Sequence, residues 1–206
     1  MFRQRRHGCR LREVGALLIC IGLLVALGGA AHGQPTESQD TAGDSDAEVR
    51  ARALFEEGLQ LMEDGQHPAA CARFKSSLLL FAGIGTRGKL AECYEEMGKL
   101  ASAYELYVEI ERLAREAGDP RARVAAERAR ELEQRVPRLT IQPGPVADVP
   151  GLEVQLDGRV LKPSSLGIAL FVDPGERTVQ VSAPEYKSWT RVVTALPVDE
   201  VVIELP

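Results

Sequence analysis

The chain predicts a multidomain α plus β fold: α-helical hairpin repeats over residues 48–136, then a small antiparallel β-sandwich over residues 138–206. Three observations predict it. Apolar residues between positions 51 and 132 recur at helical spacing, and residues of matched character stand 33 positions apart. After Pro137 the period drops to two, and turn-forming dipeptides separate the runs. Ahead of both parts, residues 1–33 pass from basic to apolar to small, an order that belongs to export rather than to a folded core.

The helical elements follow from their start and stop signals. Ser45-x-x-Glu48 reads as a capping box, in which each side chain serves the other's backbone N–H. Leu54, Phe55, Leu59 and Met62 then share a helix face with Ala51 and Gly58, and Gly65 ends the helix. Pro68 suits the first turn of a second helix, whose face carries Ala70, Phe74, Ser77, Leu78 and Phe81. Gly83 and Gly85 break the chain, the Gly-rich stretch 83–88 reads as an inter-repeat turn, and Thr86 caps the third helix. Its buried face holds Leu90, Ala91, Tyr94 and Met97, and Gly98 ends it. Ala103, Tyr104, Tyr107, Ile110 and Leu113 mark a fourth helix, ended by Gly118. Asp119-Pro120 opens a fifth, with Val124, Ala125, Ala129 and Leu132 as apolar positions, and Pro137 stops it. This charged, Ala-rich helix is expected to cover the open face of the second hairpin, as a terminal unit of an array must.

The period is the informative part. Gly58 aligns with Ala91, Gly65 with Gly98, Ala70 with Ala103 and Phe74 with Tyr107, each pair 33 residues apart. A fixed period of this length means stacked supersecondary units, with small residues letting helices approach and aromatics filling the gap to the next unit. The stretch FEEGLQLMEDGQHPAACARF at 55–74 and its counterpart LAECYEEMGKLASAYELY at 90–107 resemble the tetratricopeptide repeat. The chain departs from that family in having Ala82 where proline is common and in its period, which the family sets at about 34 residues. The resemblance implies that the first helix of each hairpin lines a concave face. That nominates Arg52, Phe55, Leu59 and Met62 from the first hairpin and Lys89, Glu92 and Glu95 from the second, as a groove for an extended peptide or a helix. The alternative is that Phe55 and Leu59 are core.

Cys71 and Cys93 are the cysteines outside the N-terminal segment. Cys71 opens the second helix and Cys93 lies late in the third. For antiparallel helices turning near residues 83–84, their heights differ by three residues, about 4.5 Å. A disulfide is then within reach if both face the partner helix, and two buried free thiols are the alternative.

In the C-terminal part, alternation marks Leu139 to Ile141, Leu152 to Leu156, Val179 to Val181 and Val201 to Leu205. Pro143-Gly144-Pro145, Asp157-Gly158, Asp173-Pro174-Gly175 and Ala183-Pro184 supply the turns, and Asp157-Gly158 suits a two-residue hairpin because both residues tolerate positive φ. Six or seven short strands suggest a compact sandwich, with Tyr186 and Trp189 as its large core or rim residues. Val154-x-Leu156-Asp157-Gly158, Asp173-Pro174-Gly175-x-x-Thr178-Val179-x-Val181 and Ala183-Pro184-x-Tyr186 together resemble the PEGA domain, a β-sandwich module of bacterial envelope proteins. The signature that names that family is degraded here to Asp148-Val149-Pro150-Gly151-Leu152. The resemblance implies attachment or interaction in the envelope, to a protein or to a wall polymer, and no catalysis.

Residues 1–33 read as a signal peptide or N-terminal anchor: Arg3, Arg5, Arg6, Arg10 and Arg12, then an uncharged run at 14–27, then small residues at 28–33. Left uncleaved, positions 14–31 would form a helix of about 27 Å, just long enough to span a bilayer. In either case the rest of the chain is expected outside the cytoplasm, in periplasm or envelope, and any membrane contact runs through this segment alone. Residues 34–47 contain no large apolar side chain and read as a disordered linker. Beyond residue 33 the chain carries 20 basic and 29 acidic residues, a net −9, which argues against nucleic acid as a partner. With His67 as the one histidine past position 33, no nucleophilic set with a histidine base assembles, and no phosphate loop or metal-ligand spacing appears. The chain therefore reads as non-enzymatic and without cofactors: an envelope interaction or scaffold protein with a protein or peptide partner. The alternative is a cell-wall or glycan-binding module that uses Tyr186 and Trp189 for sugar stacking.

Overall fold

The computed structural model describes residues 40–206: five α-helices followed by two β-sheets. The export segment at 1–33 and residues 34–39 of the expected linker lie outside the described residues. Among the described residues, no helix is long and apolar enough to cross a membrane.

Helix α1 spans Asp40–Glu63, α2 His67–Leu80, α3 Ile84–Glu96, α4 Leu100–Glu116 and α5 Arg121–Glu133. Two starts differ from expectation. The first helix begins five residues before the Ser45 box, so positions 40–47 are its opening turns rather than linker. Low apolar content over these positions conceals that start from a reading by periodicity. The third helix begins at Ile84 on an extended Gly83, not at Thr86, so Gly85 and Gly88 lie inside the helix instead of in a turn. Each interior glycine costs about 1 kcal/mol of helix propensity. Burial of Leu90, Ala91 and Cys93 on the same helix offsets that cost.

The stops fall where the glycines put them. Gly65, Gly98 and Gly118 adopt φ of +71°, +69° and +66°, the left-handed conformation that glycine enters without a Cβ penalty. After the first two, the N–H of Gln66 donates to the Leu61 carbonyl and that of Lys99 to the Tyr94 carbonyl, each at 2.8 Å. The boundaries keep the 33-residue offset as well, Glu63 matching Glu96 and His67 matching Leu100. At the fifth helix, Asp119 accepts the backbone N–H of Arg121 at 2.9 Å. Hydrogen bonds from the Arg121 side chain, then from its backbone, hold the Asp119 carboxyl down at about 2.

Successive helices pack on one another. Ala70, Cys71, Phe74, Leu90 and Cys93 form one buried cluster, with Phe55, Leu59 and Met62 half-buried against it. Ala91, Leu100, Ala103, Tyr107, Ile110, Ala125, Ala129 and Leu132 form the next. Helix α5 supplies the last three, with Val124 51% exposed beside them. The Cys71 and Cys93 sulfurs stand at disulfide distance with Cα atoms 5.8 Å apart, joining α2 to α3.

The β part has seven strands: β1 Arg138–Gln142, β2 Glu153–Leu156, β3 Arg159–Val160, β4 Ala169–Phe171, β5 Gly175–Ser182, β6 Trp189–Ala195 and β7 Glu200–Glu204. One sheet has the order β4-β1-β7 and the other β3-β2-β5-β6. Leu139, Ile141, Ile203 and Leu205 from the first share a core with Val154, Val179, Val181 and Ala195 from the second. Asp157 and Gly158 adopt φ of +51° and +79° between β2 and β3, the tight turn their chemistry demands. The expectation of purely antiparallel pairing fails at one place: β1 and β7 run parallel, Leu139 opposite Val201 and Ile141 opposite Ile203. Alternation encodes which face a side chain takes, not the direction of the neighbouring strand. Here the first and last strands meet after the chain has passed through the other sheet.

The helical and β parts are fastened to each other. Ser102, in the first turn of α4, donates its backbone N–H to Asp173 Oδ1 at 2.9 Å and its hydroxyl to Oδ2 at 2.7 Å. Tyr104 meets Phe171 edge to face with ring centroids 4.8 Å apart. The backbone N–H of Val198 donates to the Arg135 carbonyl across the junction at 3.0 Å.

Candidate functional site

Two clefts open among the helices, and four residues lining one stand 33 positions from four lining the other. The smaller, about 150 Å³, is lined by Ala51, Arg52 and Phe55 of α1, Ser77 of α2 and the neighbouring Phe81 and Thr86. The larger, about 250 Å³, is lined by Ile84, Gly85 and Gly88 of α3, Ile110 of α4 and Val124 of α5, among others. Adding 33 to Ala51, Arg52, Phe55 and Ser77 gives Ile84, Gly85, Gly88 and Ile110. The glycines make the difference in size. A Cβ on Gly88 would meet nothing within 4 Å, and one on Gly85 would meet only an Arg121 guanidinium nitrogen at 3.6 Å. Where the first cleft carries an Arg and a Phe side chain, the second is open.

The floor of the larger cleft is held rigidly. Tyr107 donates its hydroxyl to Glu95 Oε1 at 2.8 Å, and Arg128 of α5 donates to Glu95 Oε2 at 2.7 Å. Glu95 is 15% exposed, so both oxygens of a nearly enclosed carboxylate are satisfied from two different helices. Burial, and then the bond to Glu95, raise the Tyr107 phenol above its ordinary value. The bond to Glu95 raises the Arg128 guanidinium. At the rim, Lys89 pairs with Glu92 at 2.7 Å, and Arg121 is held by Asp119.

The seven residues nominated for the groove divide among three places. Arg52 and Phe55 line the smaller cleft, and Lys89 and Glu92 the larger. Leu59 and Met62 line neither and pack on the Phe74 cluster. Glu95 lies under the larger cleft as the anchor of Tyr107 and Arg128. Sequence reasoning missed Gly85, Gly88, Ile110, Arg121 and Val124. The period itself could have found the first three, since they are the 33-residue images of residues on the face of α1 and α2. Arg121 and Val124 belong to α5, which has no earlier copy to be read against.

On the β part, Tyr186 and Trp189 line the same cavity, about 240 Å³, together with Val146, Val149 and Leu152. Tyr186 is 65% exposed, whereas Trp189 is half-buried against the core of the two sheets. They are rim residues, brought together by the loop between β5 and β6.

Comparison of the chain with protein-family models, with curated proteins and with solved structures gave no match.

Proposed function

We propose that the helices form two tetratricopeptide-like repeats closed by α5, that the β part is a PEGA-like sandwich, and that the protein is a non-enzymatic scaffold of the cell envelope. Its partner is a protein segment bound in the cleft between α3 and α5, with the β part as anchor or spacer. One observation carries this reading. The clefts at Ala51–Phe55 and Ile84–Gly88 lie on equivalent positions of successive helix pairs, and the second is held open by glycine where the first has side chains. An open cleft with an apolar floor of Ile84, Tyr107 and Ile110 suits one apolar anchor of a peptide, and the Lys89–Glu92 pair at its edge suits the peptide's polar flank. The extracytoplasmic setting rests on the basic, apolar and small succession at residues 1–33.

The test is site-specific photo-crosslinking in the native envelope. A crosslinking residue replaces Lys89 at the cleft or Arg112, an exposed residue of α4 outside the cleft lining. One discrete adduct from position 89, absent from position 112 and abolished by Gly88→Leu, supports the reading. Equal labelling at both positions, or an adduct indifferent to Gly88→Leu in a variant that melts like wild type, refutes it.

A further inference from the structure

The inner face of the four-stranded sheet carries one apolar row that its own core leaves partly uncovered. Leu161 follows β3, and its N–H donates to the Val154 carbonyl of β2 at 2.8 Å. Val154 lies opposite Val181 of β5, and Val181 lies opposite Trp189 of β6. Residues directly opposite each other share a face, and all four belong to the sandwich core or pack against it. Two cavities lie along this row. One, about 200 Å³, is lined by Val154 and Leu161 together with Pro163 and Leu166. The other, about 240 Å³, is lined by Val181 and Trp189 together with Tyr186 and Lys187. Val149 and Leu152, from the loop between β1 and β2, line both, so the cavities are neighbours on the same face. That loop is held in place. Gly151, at φ +73°, approaches the loop between β5 and β6 so closely that a Cβ would stand 2.9 Å from Pro184 Cδ.

These surroundings select a ligand by chemistry. The row spans three strand spacings, about 14 Å, and the two volumes together fall in the range of small-molecule sites, roughly 300–1,000 Å³. The side chains of Val149, Leu152, Val154, Leu161 and Leu166 offer no hydrogen bond. A peptide backbone or a sugar laid along them would give up water from its polar groups without replacement. A hydrocarbon chain has no such groups. Charge decides the head. Lys187 is the one charged residue lining either cavity, and it makes no ion pair or side-chain hydrogen bond with any described residue. One row and one lysine suit one chain with one negative charge, not a two-chain lipid.

We propose that this trough binds a single-chain fatty acid. The carboxylate pairs with Lys187 at the Tyr186 end, and the chain runs along Trp189 and Val181, past Val149 and Leu152, to Leu161 and Leu166. This goes beyond the partner cleft of the helices and does not depend on it, so either can fail alone.

Trp189 is the chain's single tryptophan and lines the head end of the trough, so its fluorescence reports on occupancy. The protein is titrated with octanoate, decanoate and dodecanoate below their micelle concentrations, with octanol, and with decyltrimethylammonium. Saturation-transfer NMR on the same mixtures detects any binding that leaves the fluorescence unchanged. The expected result is saturable binding of the acids that tightens about three- to fourfold per CH₂, with the cation weaker than decanoate. Lys187→Ala, at an exposed position where folding is not at stake, weakens octanoate about two- to fivefold and leaves octanol unchanged. Val149→Asp puts a charge between the two cavities and weakens dodecanoate at least about tenfold. No saturable binding of dodecanoate by either method would overturn the proposal. So would affinity independent of chain length, or unchanged affinity for the acids in both variants. If dodecanoate does not bind while phosphatidylglycerol vesicles or the N-acetylglucosamine trimer do, the trough belongs to a bilayer or to a sugar and the proposal falls.

Discussion

Alanine at Gly58 and alanine at Gly88 should move stability in opposite directions, although both are glycines inside helices. A Cβ at Gly58 would stand 2.6, 2.8 and 3.0 Å from three ring carbons of Phe74. The closest is about 1 Å inside ordinary carbon–carbon contact. Phe74 is fully buried and its ring lies 5.7 Å from that of Phe55, so it has no free direction in which to swing. Overpacking of this kind costs about 1–3 kcal/mol, and replacing glycine by alanine within a helix returns about 1 kcal/mol. The net for Gly58→Ala is a loss of about 1 kcal/mol, which lowers Tm by roughly 2–4 °C for a chain of this size. At Gly88 nothing lies within 4 Å of the added methyl, so only the gain remains and Tm rises by a similar amount. Calorimetry and urea unfolding of the two variants measure this directly. Phe74→Leu should cost less in the Gly58→Ala background than alone, because the smaller side chain relieves the overlap. A Gly58→Ala protein as stable as wild type, or two variants shifting together, would refute the packing argument. The 33-residue counterpart of this pair is already Ala91 with Tyr107, whose hydroxyl is committed to Glu95.

Two further outcomes follow from how the parts are tied together. Asp173→Ala removes a carboxylate that accepts twice from Ser102 at the start of α4 and should cost about 1–2 kcal/mol; a double-mutant cycle with Ser102→Ala that shows no coupling in urea unfolding would exclude the contact. The Cys71–Cys93 link closes a separation of 22 residues, so replacing both cysteines by alanine should lower stability by about 3 kcal/mol; native protein with two free thiols, or a variant with an unchanged urea midpoint, would show that no bridge forms.

Local chemistry was legible wherever one residue decides a conformation. Gly65, Gly98 and Gly118 end helices because left-handed backbone is cheap only for glycine, and Asp157-Gly158 turns a hairpin for the same reason. The starts of α1 and α3 were not legible. Asp40 opens a helix through a stretch without large apolar residues, and Ile84 opens one through two glycines that are poor helix formers. In the third helix, packing of Leu90, Ala91 and Cys93 outweighs local preference. The candidate cleft was half legible. Its Lys89 and Glu92 came from the expected face, but its size comes from Gly85 and Gly88, which local reasoning assigned to a turn. In the β part Tyr186 and Trp189 were singled out as large side chains, while the cavity they share with Val146, Val149 and Leu152 depends on how the loops fold together, to which those residues carry no local clue.

The amino-acid sequence by itself determined five helices, a β part of short strands, the 33-residue offset between matching positions, and the cysteine pair within reach of each other. All of these depend on interactions among near neighbours or on periodicity, which a linear string records. Only the tertiary structure decided that β7 returns parallel to β1, and that Leu59 and Met62 belong to the core rather than to a cleft. It also made the Asp173 carboxylate, on a turn 71 residues away, serve the first turn of α4. The reason is physical: an orphan N–H at a helix start or an open edge of a strand accepts any partner of the right chemistry, and which one arrives is set by the folded path of the chain.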